Sequence, residues 1–187
     1  MISIIIPVHD RHSYLSECIE SALTQKVENE IIVVKSGNSE IVNQILQSYG
    51  NLITIIDTDK NNIAHKINFG IKKAKGEWIK TLSSDDLLLP RCLMIFSKYH
   101  DIDKYYYSNF YYCNQLGMIT HNITSKSLVA GYFNMKLIEK YGEFDESVKY
   151  EDKEFIERFN DSNTIHVNHF TVKYRQHDEQ LTKVFQK

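Results

Sequence analysis

Four short, almost wholly apolar runs recur in the first half of the chain: residues 2–6 (ISIII), 30–34 (EIIVV), 52–56 (LITII) and 77–82 (EWIKTL). A strand that is apolar at nearly every position must be covered on both faces, which happens in a parallel sheet sandwiched between helices. The segments between the runs have helical spacing. Leu15, Cys18, Ile19, Ala22 and Leu23 form one stripe with Ser13 as its N-cap, Ile41, Ile45 and Leu46 a second, and Ala64, Ile67, Ile71 and Ala74 a third. Pro7 is placed to end the first strand and Gly76 to end the third helix. Strands alternating with helices predict a doubly wound, Rossmann-like α/β fold with a mostly parallel central sheet.

The alternation weakens after Pro90. Residues 104–112 read as an aromatic strand, 134–141 and 151–159 as helices, and 163–174 as late strands. With no linker or repeat between the halves, the second builds onto the same sheet and the 187 residues form a single domain. A net charge of −2 supplies no cationic field for a phosphate backbone, so generic nucleic-acid binding is disfavoured and a small-molecule site expected. Three cysteines, an odd count without a C-x-x-C pair, predict free thiols and a cytoplasmic setting. The apolar start, MISIIIPV, is too short for a transmembrane segment and lacks the flanks of a signal peptide. Any membrane role is then peripheral, at the inner face.

Open α/β sheets bind ligands at the carboxyl ends of their strands. That rule selects loops 7–11, 35–40, 57–62 and 83–86. In TLSSDDLLLP, residues 81–90, Asp85 and Asp86 either act on a ligand or form a turn that caps a helix beginning near Pro90.

Four segments, SIIIPVHDR, IIVVKSGNSE, NIAHKINFGIKKAKGEWIKTLSSDD and FDESVKYEDKEFIER, resemble the family 2 glycosyltransferases of the GT-A fold, and within them the branch that builds surface polysaccharides, with its pattern DAMNKGI…A.GEYI.FLNSDD. The resemblance covers nearly the whole chain. It implies sugar transfer from a nucleotide-sugar donor to a sugar, lipid-linked or other hydroxyl acceptor, with inversion and with a divalent cation, Mn²⁺ or Mg²⁺. It also implies a nucleotide-sugar-binding half, 1–90, and an acceptor and catalytic half, 91–187. Donor contacts fall on Pro7, Val8, His9, Lys35, Ser36, Asn68, Ser83, Ser84 and Asp85, the metal on Asp85 and His177, and the general base on Asp152, with Glu151 as the fallback. Charge chemistry agrees, since a leaving diphosphate needs a cation held by oxygen ligands and an incoming hydroxyl needs a base.

Other readings of these residues stay open. Glu151, Asp152, Glu154 and Glu157 also suit a solvated helix face, Asn68 and Gly70 suit helix packing, and the aromatic residues at 105–107 and 110–112 suit either a core strand or a platform for an acceptor sugar. The sequence departs from the family in three places. Ser83 replaces the first aspartate of Asp-x-Asp, Lys35 and Ser36 stand where many members carry two aspartates, and His65 replaces an acidic residue. Lysine has no acceptor for a uracil N–H, so uridine specificity is expected to relax or shift. The competing reading is a GT-A-like sugar-nucleotide binding module with little or no catalysis.

Overall fold

The computed structural model describes residues 1–11, 13–178 and 180. The chain runs β1 (Ile2–Val8), α1 (Leu15–Leu23), β2 (Asn29–Lys35), α2 (Glu40–Ser48), β3 (Thr54–Asp57), α3 (Ile63–Lys73) and β4 (Trp78–Thr81). These four strands lie parallel in the order β3-β2-β1-β4. There follow β5 (Leu87–Leu88), α4 (Cys92–Phe96), β6 (Tyr105–Cys113), β7 (Ile119–Ile123), β8 (Gly131–Asn134), α5 (Lys136–Tyr141), α6 (Glu151–Glu157) and β9 (Thr164–Arg175). β8 joins the halves, antiparallel to both β4 and β6, and β9 runs parallel to β6, so the second half of the sheet is mixed.

Period-two alternation sorts the strand residues onto two faces. Ile2, Ile4, Ile6, Val8, Ile31 and Val33 pack with Leu15 and Cys18 of α1, Leu46 of α2 and Phe96 of α4. Ile5, Ile32 and Val34 meet Ala64, Ile67 and Ile71 of α3, with Leu137 of α5 and Phe155 of α6 in the same cluster. Both faces of β1 and β2 are thus covered, as their unbroken apolar runs require, whereas the edge strand β3 is exposed or half-buried at every position. Cys18, Cys92 and Cys113 are free and buried. Among the described residues no helix is long and apolar enough to cross a membrane.

Several local expectations are corrected. Pro7 continues β1 instead of ending it. Ile2 N–H and Val8 C=O bond on the β2 side, whereas Ile5 C=O accepts from Leu82 N–H on the β4 side, where pairing stops at Thr81. Odd positions therefore face β4, and Pro7 lacks its N–H only where no strand remains to receive it. α1 has Tyr14, not Ser13, at its N-cap. Ile41 is exposed, Val42 taking its place in the core, and Leu52 is exposed ahead of a β3 that begins at Thr54. Gly76 is not a left-handed cap: α3 ends at Lys73 with Ala74 as its C-cap, and a Cβ on Gly76 would come within 2.8 Å of Ser3 N, so its smallness permits a close approach. Neither Asp85 nor Asp86 caps α4, whose N-cap is Arg91.

Gly70 sets the distance between α3 and the sheet, because an added Cβ would lie 2.6 Å from Ile5 Cγ2 and 3.2 Å from Val34 Cγ2. Gly70→Ala should destabilise the fold by about 1–3 kcal/mol through overpacking. Thermal melts should show a Tm lowered by several degrees, and an unchanged Tm would mean that the helix shifts without cost.

Candidate active site

Three loop clusters occupy the carboxyl ends of the strands. The first is built around Arg175, the last residue of β9 and fully buried. Its Nε donates to Asp85 O (3.0 Å), one terminal nitrogen to Gln115 O and the other to the Glu17 carboxylate of α1, while the guanidinium lies 4.3 Å from the centre of the Tyr14 ring. Its backbone N–H donates to Asp86 Oδ1 (2.9 Å). One side chain thus fastens the 83–86 loop, the start of α1 and the turn after β6 to the end of β9. Burial, and then the neighbouring Asp85, push the Asp86 carboxyl well above the usual carboxylate range.

Two residues further on, His177 Nε2 sits 2.9 Å from Asp85 Oδ2, with its ring 5.1 Å from that of Tyr14. Arg11, Ser13, Tyr14, Ser84, Asp85 and His177 line a small pocket there. Among the described residues no group of three or more His, Cys, Asp or Glu side chains converges. A carboxylate and an imidazole side by side fit a divalent cation whose remaining ligands are phosphate oxygens and water, the imidazole suiting a transition ion such as Mn²⁺ better than Mg²⁺. Ser83 is exposed, and its carbonyl accepts from Cys18 Sγ and from Asp86 N–H.

The second cluster joins the ends of β1 and β2. His9 Nδ1 lies 3.2 Å from Ser36 O and 3.0 Å from Ser36 Oγ, Ser36 Oγ donates to Asn61 Oδ1 (3.5 Å), and Lys66 Nζ donates to the same Asn61 oxygen (3.1 Å). Lys66 is buried, and desolvation lowers its pKa to about 8. Gly37 adopts φ +86°, and a Cβ there would overlap the Asp10 carboxylate, which accepts from Ser39 N–H. Lys35 is ion-paired with Asp57, its register partner on β3.

The third is an open cavity of about 460 Å³ whose lining includes Phe110, Tyr112, Ser127, Val129, Asp152 and Tyr174. Its size is within the ~300–1,000 Å³ of small-molecule sites. Asp152 stands in the first turn of α6, its Oδ1 accepting from Lys153 N–H. Glu151 is absent from the lining, and burial raises its carboxyl pKa. The aromatic run divides: Tyr105, Tyr106 and Phe110 are core, Phe110 also reaching the cavity lining, whereas the half-buried Tyr112 faces the cavity.

The structure therefore brings together Ser84, Asp85 and His177 at one end and His9 and Ser36 at another, with Asp152 lining the cavity. It leaves out others. Val8 is core and Pro7 a strand residue, Lys35 is turned to Asp57, and Asn68 is buried with its amide doubly bonded to the Phe144 backbone (2.8 and 2.9 Å). Arg175, Asn61 and Lys66 were not singled out from the sequence. The signal for Arg175 was its position two residues before His177 in YRQHD, a charge at the end of a β-branched strand.

The Glycosyl transferase family 2 model matches residues 3–178. An uncharacterised glycosyltransferase of Rickettsia typhi is 31% identical over 97% of this chain and 66% of its own length. The glycosyltransferase GlyG of Streptococcus pneumoniae is 33% identical over 47% of this chain and 31% of its own. This chain thus spans just under two thirds of the first relative and less than a third of the second. Among solved structures, S. aureus TarS in complex with UDP-GlcNAc superposes with a TM-score of 0.79 at 15% identity, covering 96% of this chain and 59% of that one. A mannosyltransferase of Pyrobaculum calidifontis in complex with GDP-Man and Mn²⁺ gives 0.67 at 14% identity, covering 92% and 56%. At such identities the two structures establish the shared GT-A fold.

Arg175→Met should leave the Asp85 and Gln115 carbonyls without their donor, at roughly 1–3 kcal/mol for each buried acceptor. Glu17→Gln keeps an acceptor at the exposed end of the same network and should cost under about 1 kcal/mol. Denaturant melts of the two variants check this, and equal losses would show that the Glu17 ion pair, not the carbonyl fork, carries the network.

Proposed function

The chain belongs to glycosyltransferase family 2, and from that premise we propose that it is an inverting glycosyltransferase moving a sugar from a nucleotide-sugar donor to an acceptor hydroxyl. The observation that carries this reading is the course of β9. Tyr174 lines the Asp152 cavity, and three residues later His177 pairs with Asp85, so a candidate base and a candidate diphosphate end share one strand terminus.

Asp85 and His177 would hold a divalent cation, which when bound supplies positive charge against the leaving diphosphate. Arg11, Ser13 and Ser84, around the same pocket, would orient the phosphates. The acceptor lies in the cavity, where the half-buried Tyr112 offers ring surface to the apolar face of a sugar. Asp152 takes the proton of the attacking hydroxyl as that oxygen bonds to the anomeric carbon, and the bond from that carbon to the phosphate oxygen breaks on the opposite face. Inversion follows from the single displacement. Asp152, and not Glu151, is assigned as base because it lines the cavity. In this division of labour residues 1–90 supply the donor site, with His177 reaching back to the diphosphate, and the rest of 91–187 supplies the acceptor site. The acceptor is a sugar, a lipid-linked sugar or another hydroxyl compound, met in the cytoplasm or at the inner membrane face.

Asp152→Asn should lower transfer by roughly two to four orders of magnitude, the range for losing a general base, with donor affinity unchanged. Asp85→Ala should weaken donor binding and transfer together and remove their sensitivity to chelator. Release of nucleoside diphosphate from a panel of nucleotide sugars, with calorimetry of donor binding, checks both. Absence of nucleoside diphosphate release by the unaltered protein would leave the binding-module reading in place, and activity lost only in Glu151→Gln would move the base by one residue.

A further inference from the structure

Resting on that reading, we infer that Glu146 is a positioning residue for Asp152: it holds the segment that enters α6 against the donor half and so sets where the base stands. Asp152 lies in the first turn of α6, and that turn is not fixed by a cap of its own, since the N-cap Tyr150 makes no side-chain hydrogen bond to it. The start of the helix then depends on what holds the chain ahead of it.

That chain is gripped from two sides. From the far end of α6, Arg158 donates through one terminal nitrogen to Tyr141 O, Gly142 O and Glu143 O (3.0, 3.1 and 2.9 Å). From α3, Lys72 pairs with Glu143 and Asn68 bonds the Phe144 backbone. Glu146 carries the grip further towards Asp152 and onto a loop at the carboxyl end of the sheet. Its Oε1 lies 3.0 Å from His65 Nδ1, its Oε2 accepts from Lys60 Nζ (3.2 Å), and its carbonyl accepts from Asn62 Nδ2 (2.9 Å).

Hydrogen-bond directions give this contact a single arrangement. A carboxylate only accepts, so His65 Nδ1 carries the proton. Nε2 of the neutral ring then accepts from the Thr58 hydroxyl (3.1 Å), whose oxygen accepts from Lys60 N–H (3.3 Å). Asn62 Oδ1 caps α3 by accepting from His65 N–H (2.8 Å), which turns its NH₂ group towards Glu146 O. Thr58 N–H bonds Lys35 O, so the contact runs from the end of β2 through loop 57–62 to the segment before α6. The hydrogen bond from His65 is the main cause that holds the Glu146 carboxyl below its ordinary range. An attacking hydroxyl has to meet base and donor in one alignment, and a misplacement of about 1 Å can cost about 100-fold in rate. Glu146 ties the helix that carries the base to the half that carries the donor.

Release of nucleoside diphosphate from the nucleotide-sugar panel with Mn²⁺, and calorimetry of nucleoside diphosphate binding, test the inference, with thermal melts setting the assay temperature below the transition of every variant. Glu146→Ala should lower the rate about 10- to 100-fold at unchanged affinity for the diphosphate. His65→Asp sets two carboxylates against each other and should do the same from the other side of the contact. The double variant separates positioning from a general structural role. In an Asp152→Asn background, Glu146→Ala should cost less than about a further threefold, because a group that acts through the base has nothing left to position. A full multiplied loss in the double variant, a fall in diphosphate affinity that matches the fall in rate, or an unaltered rate in Glu146→Ala overturns the inference and leaves the glycosyltransferase reading intact. Absence of release by the unaltered protein overturns that reading, and an unaltered rate in Asp152→Asn overturns the assignment of the base; the inference falls with either.

Discussion

The buried guanidinium of Arg175 is the contact on which the arrangement of loops at the carboxyl end of the sheet depends. A charge taken out of water is costly unless its donors are met by acceptors in the right geometry. Arg175 meets Asp85 O, Gln115 O and the Glu17 carboxylate in one planar fork and stacks on Tyr14. These partners come from the 83–86 loop, the turn after β6 and α1, which are remote in sequence. A lysine could not replace it, because a single point donor on a flexible stem cannot satisfy acceptors spread around a plane. The neighbouring backbone is drawn in as well, since Arg175 N–H binds Asp86 and places His177 against Asp85.

This contact joins two halves that differ in topology. The first is a parallel β3-β2-β1-β4 sheet, covered by helices on both faces, whose loops gather polar residues at one end. The second reaches it through β8, antiparallel to β4, and so returns β6 and β9 with their carboxyl ends beside those same loops. A mixed sheet is therefore what allows residues on β6 and β9 to face the loops of the parallel half. Asn68 serves the same junction from below, its amide clamping the Phe144 backbone and hence the segment that leads to α6 and Asp152.

The fold was legible because burial on both faces writes itself into strands as unbroken β-branched runs, and β1, β2 and β4 stand where those runs stand. Boundaries were less legible. Pro7 reads as a strand end unless one knows that β4 has already left its side, and Gly76 reads as a helix cap unless the Ser3 backbone is known to press on it. Asp85 and Asp152 were singled out through family resemblance more than through chemistry, since paired acidic residues also make turns and solvated faces. Arg175 left only the trace of a charge at the end of a β-branched strand, and Lys66 and Asn61 left none. Their roles arise from partners distant in sequence, and a lone Arg, Lys or Asn carries no periodic signal.

Those unread residues share one physical principle. Arg175, Lys66 and Lys80 are buried side chains that can only donate, and each fixes acceptors of a loop at the carboxyl end of the sheet. Lys80 is fully buried on β4 and donates to Thr81 O and to Val129 O, which pins the segment carrying Ser127 and Val129 along the wall of the Asp152 cavity. Desolvation lowers the pKa of Lys80, like that of Lys66, to about 8, the mark of a cation held at a cost for the sake of the bonds it makes. A backbone carbonyl or an amide oxygen held by such a donor cannot rotate toward the ligand, so the groups left facing the cleft are determined by what the buried cations have already claimed. The shape of these loops is then set from beneath, by buried cations that line neither the small pocket nor the cavity.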